Sequence, residues 1–377
     1  MDATITPDEA PASLVNDGSN GNASNNDHDH HADNLPSASD SDEHYEGNLD
    51  SRDAKQKLKA WSKPADEIEE LTLYSEPYDM NRARTSLQSA FRSTPTTGLS
   101  GLDHLPAEIT LMVVHHMDIL TFFRFRQVNR RARELASTIK EYNTIATHAL
   151  EAVRAILRTR SGHNFTIDTL YRKLLSHKCR TCGKFGSFLN LATADRCCIN
   201  CNHRSARFHV LPPRQFCKAA KITPTVLNQY AKLQLRTVRG SWDRELKDPG
   251  SHPRQLIPVA ATARALLSAG VIDESTRRGL WTTKSQRVHR LMVVTPFPFY
   301  DAKTDTIQRG VYCTFCHDSL EDNSDWDEEW PEEDVHTTGV AELWIERLLR
   351  RLEIFTQRGF LTHLEECDYA QDYMEDY

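Results

Sequence analysis

The 377-residue chain lacks several features that define large classes of proteins. No stretch approaches the roughly 18 consecutive apolar residues of a membrane-spanning helix, so no membrane segment is expected. The N-terminus has neither a basic nor an apolar segment, which argues against a secretory signal. No lysine or arginine precedes Arg52, which argues against a mitochondrial presequence. We therefore expect a cytoplasmic or nuclear protein, or one found in both, whose thiols stay reduced.

Motifs of common catalytic sites are missing as well. The chain has no glycine-rich phosphate-binding loop and no Gly-x-Ser-x-Gly motif. It also lacks the combination of His-x-Glu with Pro-Cys-x-x-Cys that a zinc deaminase needs. We therefore expect a protein that is not an enzyme.

Charge is distributed unevenly around a net value of −7. Residues 1–50 hold 12 acidic and no basic side chains, and residues 317–377 hold 19 acidic and 4 basic ones, so residues 51–316 carry a net charge of +20. A basic centre between acidic ends can attract polyanions or its own tails, but we favour the simpler interpretation that these cations solvate helix faces. The polar residues 1–50 bury too little surface to fold, and we assign residues 1–98 to a disordered tail and linker.

Seven of the nine cysteines fall into two sets of four candidate metal ligands. The spacing of the first set matches a tetrahedral zinc site of four thiolates, and the second combines three thiolates with one imidazole. The first set is Cys179, Cys182, Cys198 and Cys201, and the second is Cys313, Cys316, His363 and Cys367. His363 and Cys367 are four residues apart, so a helix would place both on one face.

Both sets are complete, so neither leaves a coordination position open for a catalytic water. We expect two structural Zn²⁺ ions; the alternative is free or redox-active cysteines, with more weight for the widely separated second set. Cys198 is preferred over its neighbour Cys197 because it gives the two-residue spacing to Cys201. Cys217 is expected to be a buried apolar residue. His177, His203 and His317 flank the ligands and are not expected to bind metal.

Hydrophobic periodicity predicts a mainly α-helical fold with small β elements of the zinc-ribbon type. From Pro106, apolar residues follow the spacing of an amphipathic helix, and Asp118 marks a break. Two further short helices, one long helix over residues 140–159 and a short hairpin between the first cysteine pairs follow. We divide the ordered chain into a three-helix segment, 99–150, and a zinc-stabilised α+β region, 151–377.

Residues 105–135 resemble an F-box. Leu105, Pro106, Glu108 and Ile109 match the opening of that pattern, and Met117-Asp118 matches its central break. Val128, Arg130 and Arg131 match its last part, where Ala132 stands in place of the usual tryptophan.

This resemblance implies docking onto the Skp-type adaptor of a cullin–RING ubiquitin ligase, with the cullin bound through the adaptor. An F-box of this length has little core of its own and gains stability when its apolar face packs on a partner. The implied adaptor-binding residues are Leu105, Pro106, Ile109, Met112, Val113, Met117, Leu120, Phe122, Phe123 and Val128.

The rest of the chain is similar to fungal F-box proteins with cysteine motifs after the box. The matching parts are residues 179–201, the turn at 239–242, and residues 310–317 and 360–371. The resemblance implies a non-catalytic receptor whose zinc-stabilised region presents a surface to a target protein. The sequence does not identify that target.

Two other functions stay open at this point. A basic run beside the first cysteine set is compatible with nucleic-acid binding, although its aromatic residues are too sparse for a stacking surface. It comprises Arg204, Arg207, Arg214, Lys218, Lys221, Lys232, Arg236 and Arg239. A RING-type ligase acting alone is less favoured, because RING ligand pairs interleave closely. An acidic insertion at 325–334, with Trp326 and Trp330, is either a recognition loop or a solvated excursion.

Overall fold

The structure, a computed structural model, describes residues 48–65, 84–88, 94–232, 234–237, 255–283, 287–318 and 349–375. The predicted tail before residue 48, the turn at 239–242 and the acidic insertion at 325–334 lie outside these residues. The helices are α1 Arg52–Trp61, α2 Ala107–His115, α3 Ile119–Arg126, α4 Arg130–Ser137, α5 Lys140–His148, α6 Leu150–Thr159, α7 Ile167–Leu174, α8 Ile199–Arg204, α9 Pro213–Ala220, α10 Pro224–Tyr230, α11 Val259–Ser268, α12 Glu274–Thr282, α13 Arg287–Leu291, α14 Thr314–Asp318, α15 Gln357–Glu366 and α16 Asp368–Glu375. The strands are β1 Ser62–Pro64, β2 Phe188–Asn190, β3 Asp195–Cys197, β4 Val210–Leu211, β5 Leu235–Arg236, β6 Gln255–Pro258, β7 Val294–Pro296, β8 Phe299–Asp301, β9 Thr306–Gln308 and β10 Val311–Cys313.

Three short helices follow Pro106, as the periodicity predicted. Asp118 begins α3, and its carboxylate accepts a hydrogen bond of 2.9 Å from the backbone N–H of Thr121. Asn129 begins α4 in the same way, with 2.8 Å to the N–H of Ala132. These side chains satisfy backbone donors that a helix start leaves open. The break at Asp118 is therefore a cap encoded locally.

The single helix predicted over residues 140–159 is wrong. The chain breaks at Ala149, whose φ of −125° and ψ of 36° are not helical, and forms α5 and α6 instead. The break lets the two halves bury their apolar sides in different directions: α5 packs on α7, and α6 packs on β7. Periodicity did not reveal it because both halves keep helical spacing.

One hydrophobic core runs from α2 through α7 into the sheet that contains β2 and β7. Val114, Phe122, Ile156, Leu189 and Met292 all belong to it and are fully buried or nearly so. The core therefore continues across residue 150, where the sequence placed a domain boundary. The three helices and the cysteine-containing region share apolar contacts.

The sheets are small and antiparallel. Strands β3, β2 and β7 form one sheet in that order, with Phe188 opposite both Cys197 and Pro296. The predicted hairpin is thus confirmed as β2–β3. The third strand, β7, begins at Val294, shortly after α13 ends at Leu291.

A smaller helical lobe forms between the cysteine sets. Helices α9 to α12 pack around β4 and β6 with a core of their own, centred on Phe216, Leu227, Ile257 and Leu280. Cys217 is buried in this lobe, as predicted. Helix α11 ends before Gly270, whose φ of +68° is the left-handed conformation that favours glycine.

Helix α1 and strand β1 lie within the range predicted to be tail and linker. Strand β1 pairs with β10 in antiparallel register, with Ser62 opposite Cys313. Ala54 on α1 is fully buried in the core that surrounds the second cysteine set. Residues 52–64 are thus ordered parts of the fold. The sequence did not show this because their partners lie about 250 residues later, beyond the reach of any local pattern.

Candidate metal centres and the exposed face of the first helices

The four sulfurs of the first set converge on one point. Cys179, Cys182, Cys198 and Cys201 place their Sγ atoms within 4.8 Å of one another. The Sγ atoms of Cys182 and Cys198 are 3.7 Å apart. Four sulfurs at about 2.3 Å from one zinc ion lie about 3.8 Å from each other in a tetrahedron, so the spacing fits.

Backbone turns hold this first centre in shape. The N–H of Cys179 donates to the carbonyl of Lys184 over 2.7 Å, and the N–H of Gly183 donates back to the carbonyl of Cys179 over 3.0 Å. Gly183 has a φ of +78°, which suits glycine. On the other side, the Sγ of Cys198 caps α8 and accepts from the N–H of Cys201 at 3.4 Å. A backbone N–H aimed at sulfur favours the thiolate that metal binding needs.

Cys197 is excluded from the metal centre. Its backbone pairs with Phe188 in the β2–β3 hairpin, and its side chain is fully buried among apolar residues. Burial raises the pKa of the Cys197 thiol well above its ordinary value. Because side chains alternate across a strand, Cys197 and its neighbour Cys198 lie on different sides. The structure thus brings together the four cysteines that the spacing selected.

The second set also converges, although its members come from two distant segments. Cys313 ends β10, Cys316 lies on α14, and α15 carries His363 and ends at Cys367. Their ligand atoms lie within 4.8 Å of one another. The Sγ of Cys316 lies 3.4 Å from the Nε2 of His363 and 3.5 Å from the Sγ of Cys367.

The imidazole of His363 is held in its place by stacking. The ring of Phe355 stacks on it with centroids 4.5 Å apart and an angle of 19° between the planes. Phe355 is fixed in turn, because it exchanges backbone hydrogen bonds of 2.8 Å and 2.9 Å with Val311 on β10. The ligand His363 is thus oriented by the strand that carries Cys313.

The ligand groups of each cluster shift one another's pKa values. Hydrogen bonds from the thiols of Cys182, Cys198 and Cys201 hold the pKa of Cys179 far below its ordinary value. In the second cluster, burial opposes a charged imidazole, but hydrogen bonds to Cys313 and Cys367 outweigh it and raise the pKa of His363 to about 9. A divalent cation replaces protons of these groups when it binds.

The donor chemistry of both clusters fits a thiophilic metal ion. Seven sulfurs and one imidazole nitrogen point inward, five of the eight ligand residues are buried, and no carboxylate belongs to either group. Four protein ligands fill a tetrahedral site completely, which is typical of a structural ion.

The two candidate centres are coupled through packing. Gly310 immediately precedes β10, and its φ is +86°. A Cβ at this position would lie 2.7 Å from the ring of Phe185, which belongs to the first centre's loop, and 2.4 Å from Ile354, next to Phe355. Only glycine fits, so the two clusters form one continuous body.

The flanking histidines take other roles. His177 contacts the ring of Phe299 edge-on at 5.2 Å, and His317 contacts Tyr312 at 4.9 Å. Neither these two nor His203 belongs to either cluster of ligand atoms.

Sequence reasoning missed a buried cation beside the first centre. Arg196 is 1% exposed and donates to the carbonyls of Lys173, Gly186 and Phe297. Its neighbour Asp195 accepts from Lys173 at 3.0 Å and Arg207 at 2.6 Å. Alternation in β3 gave no signal, because both faces of this strand are buried.

The apolar residues of α2 divide into an inner and an outer face. Thr110 and Val114 are buried, whereas Met112 is 58% exposed. The predicted amphipathic stripe is thus largely the outer face. Five large apolar side chains of this segment are exposed, and we call them together the exposed apolar patch: Leu105, Ile109, Met112, Val113 and Val128.

Two of the residues predicted to bind an adaptor are placed differently. Phe122 is fully buried and Phe123 is 8% exposed, because both pack against Tyr142 in the main core. They stabilise the helices rather than form part of the patch. Met117 and Leu120 are half-buried, and Pro106 is exposed at the start of α2. Ala132 is fully buried, so the missing tryptophan changes packing inside the domain.

A comparison with known protein families matches the segment that contains α2 to α4. The model of the F-box domain matches residues 102–144. The chain contains an F-box domain. F-box domains typically bind Skp-type adaptors, and proteins that carry them are generally non-catalytic adaptors, which suggests a substrate-receptor role in a ubiquitin ligase. No curated protein sequence and no solved structure matches the chain.

Two further expectations from the sequence concern a membrane-spanning segment and the basic run beside the first cysteine set. Within the part of the chain that the structure describes, no helix is long and apolar enough to cross a membrane. The basic run is spread over several elements, from α8 to β5, and Arg207 within it is paired with the buried Asp195. Arg239, its last member, lies outside the described residues.

Proposed function

We propose that this protein is the substrate-receptor subunit of a Skp–cullin–F-box ubiquitin ligase. Its F-box domain binds the Skp-type adaptor, which connects it to the cullin, and the region after residue 150 binds a target protein. It performs no catalysis itself. We also infer kinship with fungal F-box proteins that carry cysteine motifs, which the two cysteine-rich clusters support.

The exposed apolar patch carries this proposal. Five large apolar side chains, Leu105, Ile109, Met112, Val113 and Val128, stay between 41% and 67% exposed within one family-matched segment of the chain. Contiguous apolar surface on a soluble protein marks an interaction site, and removing it from water is favourable by about 25 cal/mol per Å². Among the residues that the structure describes, no part of the core covers these side chains, which favours a partner that does.

Zinc is the metal that best suits the two clusters. Thiolate-rich sets with at most one imidazole select soft or borderline ions, and closed tetrahedral Cys₄ and Cys₃His sites are typical of structural zinc. One ion would hold together the two cysteine pairs of the first centre, and the other would join the two distant segments of the second. The chain's nine cysteines are all free thiols, which suits the reducing cytoplasm or nucleus in which we place the protein.

Co-purification of the full chain tests the adaptor claim. Ile109→Glu combined with Met112→Glu places two charges in the patch without touching the core, and we expect it to reduce recovery of adaptor and cullin by about tenfold or more. The milder pair Leu105→Ala and Pro106→Ala should weaken recovery in the same direction. Val271→Glu is the matched control, because Val271 is 36% exposed on a different lobe.

The co-purification has one outcome that supports the proposal and one that contradicts it. Loss of both partners in the patch variant, with normal recovery in the control, supports docking through the F-box domain. Equal recovery of adaptor and cullin by the wild-type chain and both patch variants would remove the proposal, since no other feature links the chain to the ligase.

A further inference from the structure

A groove of about 680 Å³ lies between the loop of the first centre and the helix of the second. One wall is made by β9 and the start of β10, and the opposite side by His177 and the beginning of α15. Its apolar lining includes Phe299, Ile307 and Val311. The volume lies in the range of roughly 300–1,000 Å³ typical of binding clefts.

Strand β9 brings an open edge to this groove. It pairs with β8 on one side only, with Ile307 opposite Tyr300, in a sheet of just these two strands among the described residues. An edge strand presents backbone donors and acceptors that a further strand can use. Side chains along β9 alternate between exposed Thr306 and Gln308 and half-buried Ile307. An added strand therefore meets polar and apolar positions in turn.

The described residues that line the groove carry positive charge only. Arg309 and Arg358 are exposed at its lining, and His177 contributes an imidazole. None of the described residues that line it is acidic. Guanidinium groups bind carboxylates or phosphates in forked geometry, so the lining is complementary to an anionic ligand.

The walls of the groove adjoin the two candidate metal centres along the chain. His177 lies two residues before Cys179, and Val311 lies two residues before Cys313. Helix α15 begins at the groove and carries His363 to the second centre. Metal ions bound in the two centres would hold these walls rigid, and a rigid site binds with a smaller loss of conformational entropy.

We propose that this groove binds an extended acidic segment of the target protein, which adds a strand to the open edge of β9 and places its carboxylates near Arg309 and Arg358. This inference rests on the receptor role proposed above and specifies the class of target. Backbone pairing supplies affinity, the apolar lining accepts alternate side chains, and the arginines select negative charge.

A fluorescent peptide in which glutamate alternates with leucine is a direct probe. Its binding to the full-length chain in complex with the adaptor is followed by fluorescence anisotropy. Arg309→Glu combined with Arg358→Glu should weaken binding by about tenfold or more, because both substitutions reverse the groove's charge. Arg264→Glu combined with Arg278→Glu is the control: it makes the same charge change on exposed positions of α11 and α12.

Two further peptides test the mode of binding. A peptide with lysine in place of each glutamate should not bind, and one with methylated alternate backbone nitrogens should bind much more weakly, because it cannot pair with a strand edge. Equal binding by the groove and control variants would overturn the proposal, as would failure of the acidic peptide to bind the wild-type complex.

Other occupants give distinct results. If a single-stranded oligonucleotide binds with the same dependence on Arg309 and Arg358 while the peptide does not, the groove serves nucleic acid and the proposal fails. If the groove variant abolishes self-association of the chain, the occupant is a second copy. Adaptor recovery is measured for every variant, so failure of the groove is distinguishable from failure of the F-box docking.

Discussion

The Nη1 of Arg196 donates a hydrogen bond of 2.9 Å to the carbonyl oxygen of Phe297, a residue 101 positions later in the chain. The same guanidinium lies over the Phe297 ring at 4.7 Å and donates to the carbonyls of Lys173 and Gly186. One buried cation thus joins the end of α7, the loop of the first centre and the segment before β8. The carbonyl dipoles stabilise its charge. An apolar side chain without N–H groups would leave these carbonyls without hydrogen-bond donors.

Replacing this arginine should therefore destabilise the fold. We expect Arg196→Leu to lower the free energy of unfolding by about 3 kcal/mol or more, because several buried carbonyls lose their donors. Urea unfolding of the metal-loaded protein measures the change. Arg264→Leu, at an exposed position, should stay within about 0.5 kcal/mol of wild type. Equal stability of the two variants would contradict the assigned role of Arg196.

The adjacent pair Cys197 and Cys198 offers a matched test of the first centre. Cys198→Ser removes a sulfur that lies 3.7 Å from Cys182, and we expect the purified chain to lose about one metal ion. Cys197→Ser alters a buried strand residue and should keep the full metal content. Elemental analysis by mass spectrometry gives the ratio of zinc to protein. A wild-type chain that is folded but free of zinc, or equal ratios in both variants, would refute the assignment.

The packing of residues 52–64 against the second centre leads to a testable prediction. Ala54 is fully buried beside Cys313, Cys316 and Cys367, so Ala54→Glu should force a charge into that core and release the ion there. Lys55→Glu, one residue away on the exposed side, should leave it in place. Metal content after mild chelation distinguishes them. Retention of both ions in Ala54→Glu would show that α1 does not support the second centre.

Phe122 and Met112 separate stability from partner binding within the F-box domain. Phe122→Ala should cost about 3–5 kcal/mol of folding free energy, because it empties a fully buried position. Met112→Ala should change stability by less than about 0.5 kcal/mol, since the side chain is 58% exposed, yet weaken adaptor binding. Chemical unfolding and adaptor titration are measured on the same samples. The opposite ranking of stabilities would contradict the burial of Phe122 on α3 and the exposure of Met112 on α2.

Acid should weaken the fold partly through His209. This imidazole is 3% exposed and its Nδ1 lies 2.9 Å from the Nη2 of Arg290. Burial, aided by the charge of Arg290, lowers the pKa of His209 from 6.5 to about 4. The imidazole takes up a proton near pH 6.5 in the unfolded chain but only near pH 4 in the folded chain. The free energy of unfolding is therefore unaffected by this group above pH 6.5 and decreases as the pH falls from 6.5 towards 4.

The variant His209→Gln isolates this contribution. Unfolding free energies of wild type and variant are compared at several pH values between 6.5 and 4. The metal ligands titrate in both chains, so the difference between the two curves reports the imidazole alone. We expect the advantage of wild type to shrink as the pH falls. Curves that stay parallel would show that His209 is not held neutral by the fold.

The apolar stripe of α2 shows what hydrophobic periodicity alone can and cannot predict. It predicted a helix after Pro106 and a break at Asp118, and both are confirmed: α2 ends at His115 and Asp118 caps α3. It did not decide which apolar residues face inward: Val114 is buried, whereas Ile109 and Met112 are exposed. A helix with apolar residues on more than one side has no unique inner face until other elements pack against it.

The sequence by itself determined the two candidate ligand sets and the three helices after Pro106, α2 to α4. Close spacing of cysteines and capping residues such as Asp118 act over a few residues, where the backbone geometry leaves few alternatives. Only the tertiary structure decided that α1 and β1 complete the second centre, that Arg196 is buried, and that the chain breaks at Ala149. Those outcomes depend on contacts between residues far apart in the chain, whose energies no local pattern records.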